Sequence, residues 1–475
     1  MSHRAVKRWL CGAAALLALA AAAAAPVGAS VPGPVQISPQ QAALDAYAYG
    51  IPLMEFNRVA AAQTSVTVPD AIGDAPVNQF GNARILADAR ERVIVAPNND
   101  TLYTLAHVDL SATALVLHVP AIAHHRYFAF EFLDPYTNVF AYVGTRTTGQ
   151  QGDTFLITGP GFRGRIPPGM RRIRSPYART WIVGRTLVSG TGDLAATHRV
   201  QNGYALLPLA AYRRQGLAWR APRPRRIVRA PRTLSEPTGL AFFDALGSAL
   251  ARNPPPARDA GILRELATVG VGVGLHPSRE HLSATTIAAL KAAVSGGPAY
   301  VAKLKTLLAA RSIAATHGWF VPPADIGAYG TDYALRAVVA LQGLAANRPA
   351  EAVYDIGVTD SSLNFLSAAH AYVVHFASGA LPPARYFWSL TAYDQSFYLV
   401  ANPLKRYELG NRSPSLRRNA DGSLDIYLQH TAPAAHQGNW LPTPGTGNFE
   451  VTLRLYGPRA SVLDGTYKLP PITLR

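Results

Sequence analysis

Arg126-Tyr-Phe-Ala-Phe-Glu-Phe132 is the stretch that decides the fold class. Phe128, Phe130 and Phe132 occupy every second position, and Glu131 falls on the opposite face. A period of two is typical of a half-buried β-strand, whereas an amphipathic helix repeats near 3.6 residues. The Phe face is therefore predicted to line a core, with Glu131 pointing away from it and exposed to solvent.

Similar alternating runs surround this stretch and are separated by Gly, Pro, Asn and Asp. They cover residues 102–109, 114–119, 137–143, 153–158 and 180–187. Period two returns in 384–475, where Phe449-Glu-Val-Thr-Leu-Arg-Leu-Tyr456 alternates and Asp421-Gly422 predicts a hairpin. Many short strands at this spacing favour antiparallel sandwiches or barrels. No repeat of fixed period is visible, although the two β parts are compatible with distant relatives.

Helical periodicity occupies the start and the middle of the chain. Ser38 and Pro39 suit the start of a first helix, and Gly50 with Pro52 predicts its break into two. Residues 237–347 also read as helices, with Gly296-Gly297-Pro298 among the predicted interruptions. The predicted fold class is mainly β with a helical section (α+β), with two antiparallel β-sandwich domains.

The predicted organisation has five segments. They are a signal peptide (1–29), an N-terminal β domain with leading helices (38–204), an Arg/Pro-rich connector (205–235), a helical segment (236–350) and a C-terminal β domain (351–475).

Composition narrows the class of protein. The chain has 475 residues, 49% of them hydrophobic and only 15% charged, which is typical of a folded protein with a large core. Its one cysteine, Cys11, lies in the leader. If the leader is cleaved, the mature chain contains no cysteine, and it therefore has no disulfide, cysteine zinc site or thiol nucleophile. The formal net charge of +17 favours anionic partners.

Residues 1–29 have the pattern of a secretory signal peptide. Arg4, Lys7 and Arg8 precede an apolar alanine-rich stretch, and small residues end it near Ala29. An uncleaved anchor is the competing interpretation, but the stretch is short of the roughly 20 strongly apolar residues of a span. The mature protein is therefore predicted to be periplasmic or secreted, with no integral membrane segment after cleavage.

Several motifs resemble a bacterial family of two paired domains. Val95-Ala-Pro-Asn-Asn-Asp-Thr-Leu-Tyr103, Asp134-Pro-Tyr-Thr-Asn-Val-Phe140 and Trp181-Ile-Val-Gly-Arg-Thr186 resemble the N-terminal domain of unknown function 1254. Tyr386-Phe-Trp-Ser-Leu-Thr-Ala-Tyr-Asp394 and Arg454-Leu-Tyr456 resemble its companion, domain of unknown function 1214. The resemblance implies two jelly-roll-like domains in an exported protein, and no settled activity.

The densest polar cluster between two predicted strands is Asn98-Asn99-Asp100, followed by Tyr103. Amide and carboxylate oxygens at a strand end can bind a sugar hydroxyl or a hard cation. The same residues can instead form an Asx turn that satisfies the local backbone. Both interpretations remain open at this point.

A second cluster, Asp134, Tyr136 and Asn138, follows the strand that contains Glu131. Glu131 and Asp134 would suit glycoside hydrolysis if they came within about 5–9 Å of each other. Arg146 and Arg185 are candidates for stabilising a negative charge. The expected solvation of Glu131 argues against a catalytic pair.

The C-terminal part supplies Trp388, Asp394 and Arg406 as further candidate ligand-binding residues. Trp181, Tyr393 and Trp440 also lie beside polar residues, as aromatic rings that stack on sugars often do. Burial in a core is the alternative for these rings, and an ion pair between Asp394 and Arg406 is the alternative for the charges.

Other chemistry has little support in the sequence. The histidines have poor metal spacing, so no metal site is predicted, and no cofactor is indicated. The arginines of 205–235 favour anionic envelope polysaccharides, or else a solvated linker, and nucleic acid is not expected for an exported protein.

The preferred function is binding of a carbohydrate or other polar or anionic small molecule, or an envelope polymer, in a cleft of the β domains. The alternatives are an extracytoplasmic hydrolase or lyase using Asp, Glu or His, and an assembly subunit without a ligand. Whether the protein is an enzyme stays open, and a homo-oligomer is possible.

Overall fold

The computed structural model describes residues 37–92, 96–222, 224, 226–228 and 235–475. Contacts group Pro39–Arg475 into one unit. The predicted leader, residues 1–29, and part of the predicted connector lie outside the described residues. Export therefore stays a prediction. Within the described residues, no helix has the length and apolar character needed to cross a membrane.

The first helix, α1 (Pro39–Gln63), runs unbroken through Gly50 and Pro52, so the predicted break is wrong. Tertiary packing overrides the local signal, because residues 46–56 are all buried. A Cβ at Gly50 would lie 2.4 Å from Leu246 Cδ2. This glycine therefore allows the close approach of α1 to a neighbouring helix.

Nine strands of the described residues form the first β region, and six of them match the predicted runs, whereas β1, β7 and β9 were not predicted. They are β1 (Gly81–Asn82), β2 (Thr101–Asp109), β3 (Leu115–Val119), β4 (Phe128–Leu133), β5 (Val139–Gly144), β6 (Asp153–Thr158), β7 (Arg171–Arg174), β8 (Arg179–Leu187) and β9 (Ala205–Pro208). A large sheet has the order β1-β2-β8-β4-β5, and a small sheet has the order β7-β6-β3-β9. The predicted Phe face of β4 lies in the core between them.

Two short helices flank β9 of the first β region, α2 (Leu194–Gly203) before it and α3 (Leu209–Gln215) after it. A helical section follows, and its helices are α4 (Leu240–Arg252), α5 (Ala260–Ala267), α6 (Ala284–Ala315) and α7 (Tyr333–Gln342). Apolar side chains of α4 to α7 share one core with α1. The predicted interruption at Gly296-Gly297-Pro298 is wrong, since α6 is continuous there. A Cβ at Gly297 would lie 2.3 Å from the Tyr47 ring, so the glycine is needed where α6 crosses α1.

Nine more strands form the second β region. They are β10 (Trp319–Phe320), β11 (Ala352–Gly357), β12 (Tyr372–Phe376), β13 (Ala384–Asp394), β14 (Glu408–Gly410), β15 (Leu424–Gln429), β16 (Trp440–Pro442), β17 (Phe449–Pro458) and β18 (Ile472–Leu474), with the short helix α8 (Ala460–Leu463) between the last two. The large sheet has the order β10-β11-β17-β13-β14 and the small sheet β16-β15-β12-β18. One hydrophobic core joins the two sheets.

The two β regions have the same topology, strand for strand. Adding nine to each strand number of the first region gives both sheet orders of the second. Even the one parallel pair of each region corresponds, β6 with β7 and β15 with β16. Equivalent positions in the two regions can therefore be compared directly.

The fold is thus α+β, with two β regions and a helical section between them, as the sequence predicted at this level. The two parallel pairs correct the purely antiparallel prediction. The Asp421-Gly422 hairpin is also wrong, because the flanking β14 and β15 belong to different sheets. The jelly-roll comparison stays a prediction.

Candidate functional site

The polar faces of the two large sheets are buried against each other. In β17, Leu453 and Leu455 point into the core of the second β region, and Arg454 and Tyr456 point the opposite way. All ten residues of β17 are nevertheless buried. Tyr456 packs against Tyr127 of the first β region, with ring centroids 5.4 Å apart. A face that alternation alone would assign to solvent is therefore an internal interface.

Two reciprocal ion pairs join the β regions at equivalent positions. Asp100 immediately precedes β2, and its carboxylate lies 2.6 Å from Arg412, which follows β14 by two residues. Glu351 immediately precedes β11, and its carboxylate lies 2.6 Å from Arg146, which follows β5 by two residues. Each region thus contributes one acid and one arginine to its neighbour.

Hydroxyl groups complete these ion pairs. Ser389 Oγ donates to Asp100 over 2.7 Å, and Tyr127 Oη donates to Glu351 over 2.7 Å. Asn98 donates to Tyr456 Oη and accepts from the amides of Asp100 and Thr101. The predicted Asn98-Asn99-Asp100 cluster is therefore both a turn and a contact with the second β region.

Each large sheet places an arginine opposite a tyrosine near the middle of the interface. Arg185 of β8 pairs in register with Tyr103 of β2. Arg454 of β17 pairs in register with Tyr354 of β11, which is the equivalent position. Both arginines are buried, with 5% and 4% of their surface exposed. A buried guanidinium needs a partner, because desolvating an unpaired charge is costly.

The two arginines differ in how their charge is balanced. Arg185 has a carboxylate partner, since its Nη1 lies 2.6 Å from Glu131 Oε2. The position equivalent to Glu131 is Thr391, which accepts a hydrogen bond from Arg454 Nη1 over 2.9 Å. Tyr393 Oη accepts a second bond over 2.6 Å. Among the described residues, Arg454 makes no ion pair.

A carboxyl group with an altered pKa lies beside Arg454. Glu408 of β14 is opposite Thr391 in the sheet. Burial raises its pKa to about 8, and the neighbouring Asp100 adds to the rise, while Arg412 and Arg454 oppose it. Glu408 is therefore largely protonated at neutral pH, and it does not neutralise Arg454 there.

Polar atoms next to Arg454 have unused hydrogen-bonding capacity. Glu408 Oε2 and Arg412 Nε are both buried and form no hydrogen bond with the described residues. Buried polar atoms are nearly always bonded, so such exceptions require an explanation. We call the group Tyr103, Arg185, Tyr354, Thr391, Glu408, Arg412 and Arg454, with Asp100 and Glu131, the inter-sheet layer.

Parts of the inter-sheet layer are exposed to solvent. Tyr103, Tyr354 and Glu408 are only half-buried, and the Arg412 side chain is 16% exposed. The layer brings three arginines close to three acidic side chains, and burial raises the pKa of two of these acids, Glu131 to about 7 and Glu408 to about 8, so the guanidinium charge is only partly balanced at neutral pH. The arrangement can accept an anionic group that also uses hydroxyl or carboxyl partners.

Five of the predicted site residues meet in or beside the inter-sheet layer. Asp100, Tyr103 and Arg185 belong to the layer, and Asn98 and Arg146 bond across the same interface. Asn99 lies next to them and donates to the carbonyl of Ala87. The expectation that Glu131 is solvated is wrong, since it is fully buried beside Arg185.

The Asp134, Tyr136 and Asn138 cluster lies elsewhere and forms a turn. Asp134 Oδ1 accepts from the amides of Tyr136 and Asn138 over 2.8 and 2.9 Å. Tyr136 packs on the helical section, where its hydroxyl donates to the Asn253 carbonyl. Burial raises the pKa of Asp134 to about 6. Glu131 bonds to Arg185, whereas Asp134 bonds within its own turn, so the two carboxyl groups have different partners, and a catalytic Glu131–Asp134 pair stays a prediction.

The C-terminal candidates are also separate from the layer. Trp388 lies in the core of the second β region. Asp394 caps a turn and forms an ion pair with Arg92 at 3.1 Å. Arg406 instead donates to the carbonyls of Gln437 and Trp440. The alternative of an Asp394–Arg406 ion pair is therefore wrong. Trp181, Tyr393 and Trp440 are buried and present no free face to a sugar.

Sequence reasoning missed the second half of the layer: Tyr354, Thr391, Glu408, Arg412 and Arg454. One signal was present, because Arg185 and Arg454 are each the only charged residue within a run of five apolar or small neighbours on a predicted strand.

For metals, the described residues contain no group of three or more His, Cys, Asp or Glu side chains able to hold an ion.

Comparison with protein families gives two matches. Residues 77–208 match the family described as protein of unknown function DUF1254, and residues 351–460 match protein of unknown function DUF1214. No curated protein matches the chain. The two matched segments contain most strands of the first and second β regions, respectively.

Comparison with solved structures gives two similarities. The VPA0106 protein from Vibrio parahaemolyticus is 20% identical, with a TM-score of 0.64, and the alignment covers 92% of this chain and all of that one. An uncharacterized protein from Burkholderia cenocepacia is 15% identical, with a TM-score of 0.43, over 89% of this chain and 87% of its own. The first similarity shows the common fold and carries no information on activity.

Proposed function

We propose that this protein, which carries a DUF1254 domain followed by a DUF1214 domain, binds a small polar anion in its inter-sheet layer. A sugar acid is the class that fits best, since it combines a carboxylate with hydroxyl groups. The two β regions, jelly-roll-like by resemblance, would act as rigid supports for the layer. Export to the periplasm or cell surface is part of the proposal and rests on the predicted leader.

One observation carries the proposal: Arg454 lacks the carboxylate partner that its equivalent, Arg185, finds in Glu131. The same chain thus provides its own reference for a balanced arginine at this position. A ligand carboxylate beside Arg454 would restore the balance that Glu131 gives to Arg185. Glu408 Oε2 and Arg412 Nε would then receive partners among the ligand hydroxyl and carboxylate groups.

Glu408 gives the proposal a pH dependence. Below about pH 8 its carboxyl is neutral and can donate a hydrogen bond to an anion. Above that pH it ionises and repels the anion. Binding is therefore expected to weaken as pH rises from 7 to 9.

The test is calorimetric titration of the full chain with D-glucuronate, and with glucose as the neutral control. Glucuronate is expected to bind at pH 7 and up to about tenfold more weakly at pH 9. Glu408→Gln keeps the shape and removes the titration, so its affinity should not change with pH. Glu280→Gln, at an exposed glutamate, is the matched control and should behave like the wild type.

A second variant tests Arg454 without removing it. Thr391→Glu copies the residue that faces Arg185 and supplies an internal carboxylate. We expect glucuronate binding to be lost while the protein stays folded. Equal affinity for glucuronate and glucose, or binding that Thr391→Glu leaves unchanged, would refute an anion site at Arg454.

A second candidate function, a hydrolase or lyase acting on such a substrate, has one observation in its favour. Protonated Glu408 lies close to Asp100, which accepts from Arg412 and Ser389. Two carboxyl groups held in different protonation states are the usual arrangement for acid–base catalysis. Release of reducing ends from a uronic-acid oligosaccharide, abolished in Glu408→Gln, would support this candidate over simple binding.

A further inference from the structure

The positive charge of the chain is concentrated in one segment. Residues 160–232 contain 16 arginines, no lysine and a single acidic residue, Asp193, so this segment carries +15 of the total +17. The remaining residues are close to neutral. Four of these arginines, at positions 223, 225, 229 and 232, lie outside the described residues.

Several of the described arginines line a groove between two edge strands. β5 is the last strand of the large sheet in the first β region, and β7 is the last strand of the small sheet. Between them is a groove of about 450 Å³, lined by Phe140 to Val143, Phe155 and the four residues of β7. In the described residues, no hydrogen bond links β5 with β7.

The equivalent gap in the second β region is closed by the protein itself. It lies between β14 and β16. Arg406, just before β14, donates to the Trp440 carbonyl of β16 over 2.8 Å. Asn439 and Ser415 add hydrogen bonds between the loops that follow β14 and precede β16. The open groove of the first region is therefore a difference between two otherwise matching halves.

The side chains of β7 give this groove its charge. Arg171 and Arg174 are exposed, and Arg172 is half-buried. Arg171 shares its charge with Asp153, over 2.7 Å from its Nε, while the side chain stays 51% exposed. Arg174 has no ion pair within the described part of the chain. The loop that leads to β7 adds two exposed arginines, Arg163 and Arg165.

We infer that the groove between β5 and β7 binds a linear acidic polysaccharide, at a site separate from the inter-sheet layer. Guanidinium groups bind carboxylate and phosphate in pairs of hydrogen bonds, and a row of them suits a chain of repeating anions. The proposal is independent of the small-molecule site.

The aromatic rings beside the β7 arginines favour a polysaccharide over single-stranded nucleic acid. The guanidinium of Arg171 covers the Phe155 ring at 4.8 Å, and that of Arg172 covers Phe162 at 5.3 Å. Bases bind single-strand sites mainly by stacking on free aromatic faces. These two rings are covered, Tyr142 lies under Arg146, and Phe140 packs on Phe132. Arg172 and Arg174, unlike Arg171, make no ion pair within the described part of the chain.

An acidic peptide is the other extended anion to compare. It would add to an edge strand through backbone hydrogen bonds. β7 offers only four residues, between Pro167-Pro168 and Pro176. So short an edge supports few such bonds, and charged side chains on an edge strand discourage strand addition.

The experiment measures binding of the full chain to polygalacturonate by fluorescence anisotropy. The variant Arg171→Gln with Arg174→Gln removes two charges from the groove. Its matched control, Arg385→Gln with Arg459→Gln, removes two exposed arginines from the second β region. Neutral dextran, poly-glutamate and oligo-deoxythymidine are the comparison polymers.

The groove variant is expected to bind polygalacturonate at least about tenfold more weakly, with a reduced salt dependence, while the control stays within about twofold of the wild type. Glu408→Gln should leave this binding unchanged, which separates it from the inter-sheet layer. Equal losses in the groove variant and its control would overturn the proposal in favour of general charge attraction. Tighter binding of poly-glutamate or oligo-deoxythymidine would also overturn it.

Discussion

Removing Asp100 should destabilise the protein more than any other single change at the interface between the β regions. Asp100 is only 1% exposed to solvent. Its carboxylate lies 2.6 Å from Arg412 and accepts a hydrogen bond from Ser389 Oγ over 2.7 Å. Asp100→Ala leaves the Arg412 charge without its partner in a mostly buried position. Breaking a buried ion pair in this way costs about 3–5 kcal/mol.

The size of the expected effect can be converted to a melting temperature. Unfolding entropy near 60 °C is about 2.1 cal/mol/K per residue. For the roughly 440 residues of Pro39–Arg475 this gives about 0.9 kcal/mol per degree. A loss of 4 kcal/mol therefore lowers Tm by roughly 4 °C.

A double-mutant cycle is the appropriate assay, with urea unfolding of Asp100→Ala, Arg412→Ala and the double variant. The coupling energy should reach about 2 kcal/mol or more, because the partners touch. The reciprocal pair Arg146–Glu351 is an internal control, and it should couple more weakly since the Arg146 side chain is 28% exposed against 16% for Arg412. A coupling below about 0.5 kcal/mol for Asp100–Arg412 would refute the assignment of this pair as the main link.

Two further predictions concern stability elsewhere in the chain. Gly297→Ala should destabilise the protein by about 1–3 kcal/mol, because the new Cβ would lie 2.3 Å from the Tyr47 ring. Gly296→Ala has open space around it and should instead stabilise the protein by up to about 1 kcal/mol through helix propensity. Similar urea midpoints for the two variants would contradict this expectation. Burial raises the pKa of Asp355 from 3.8 to about 7, so the folded state keeps a proton that the unfolded state loses, and wild-type stability should fall as pH rises from about 4 to 7. Asp355→Asn should reduce this decline, to which Asp134 and Glu408 also contribute, and it should be more stable than the wild type by a few kcal/mol at most at pH 8. An unchanged pH profile of Tm would count against the assignment.

The strands were predictable because their signal is local. β6 has the predicted bounds, and β2, β3, β5 and β8 differ from theirs by one or two residues at the ends. The continuity of α1 and α6 was not predictable from Pro52 or Gly296-Gly297-Pro298. The helix-breaking tendency of these residues is outweighed by the packing of α1 against α4 and α6, which the local sequence does not contain.

The candidate site was half predictable for the same reason. Asn98-Asn99-Asp100 stands out as a polar cluster beside predicted strands, and Arg185 stands out as a charge inside an apolar run. Arg454 carries only that second signal and Glu408 carries neither, since alternation assigns both to a solvated face. Only the contact between the two large sheets buries that face, and this contact joins Asp100 to Arg412 over 312 positions of sequence.

Matching topology on one chain gives the protein a freedom that a symmetric dimer lacks. Two identical subunits would carry every substitution on both sides of their interface, so a change at one arginine site would be repeated at the other. Here the two halves are encoded separately. Glu131 can remain beside Arg185 as an ion-pair partner, while Thr391 offers Arg454 a neutral hydrogen-bond acceptor instead. The two arginine positions of the interface can therefore change independently of each other.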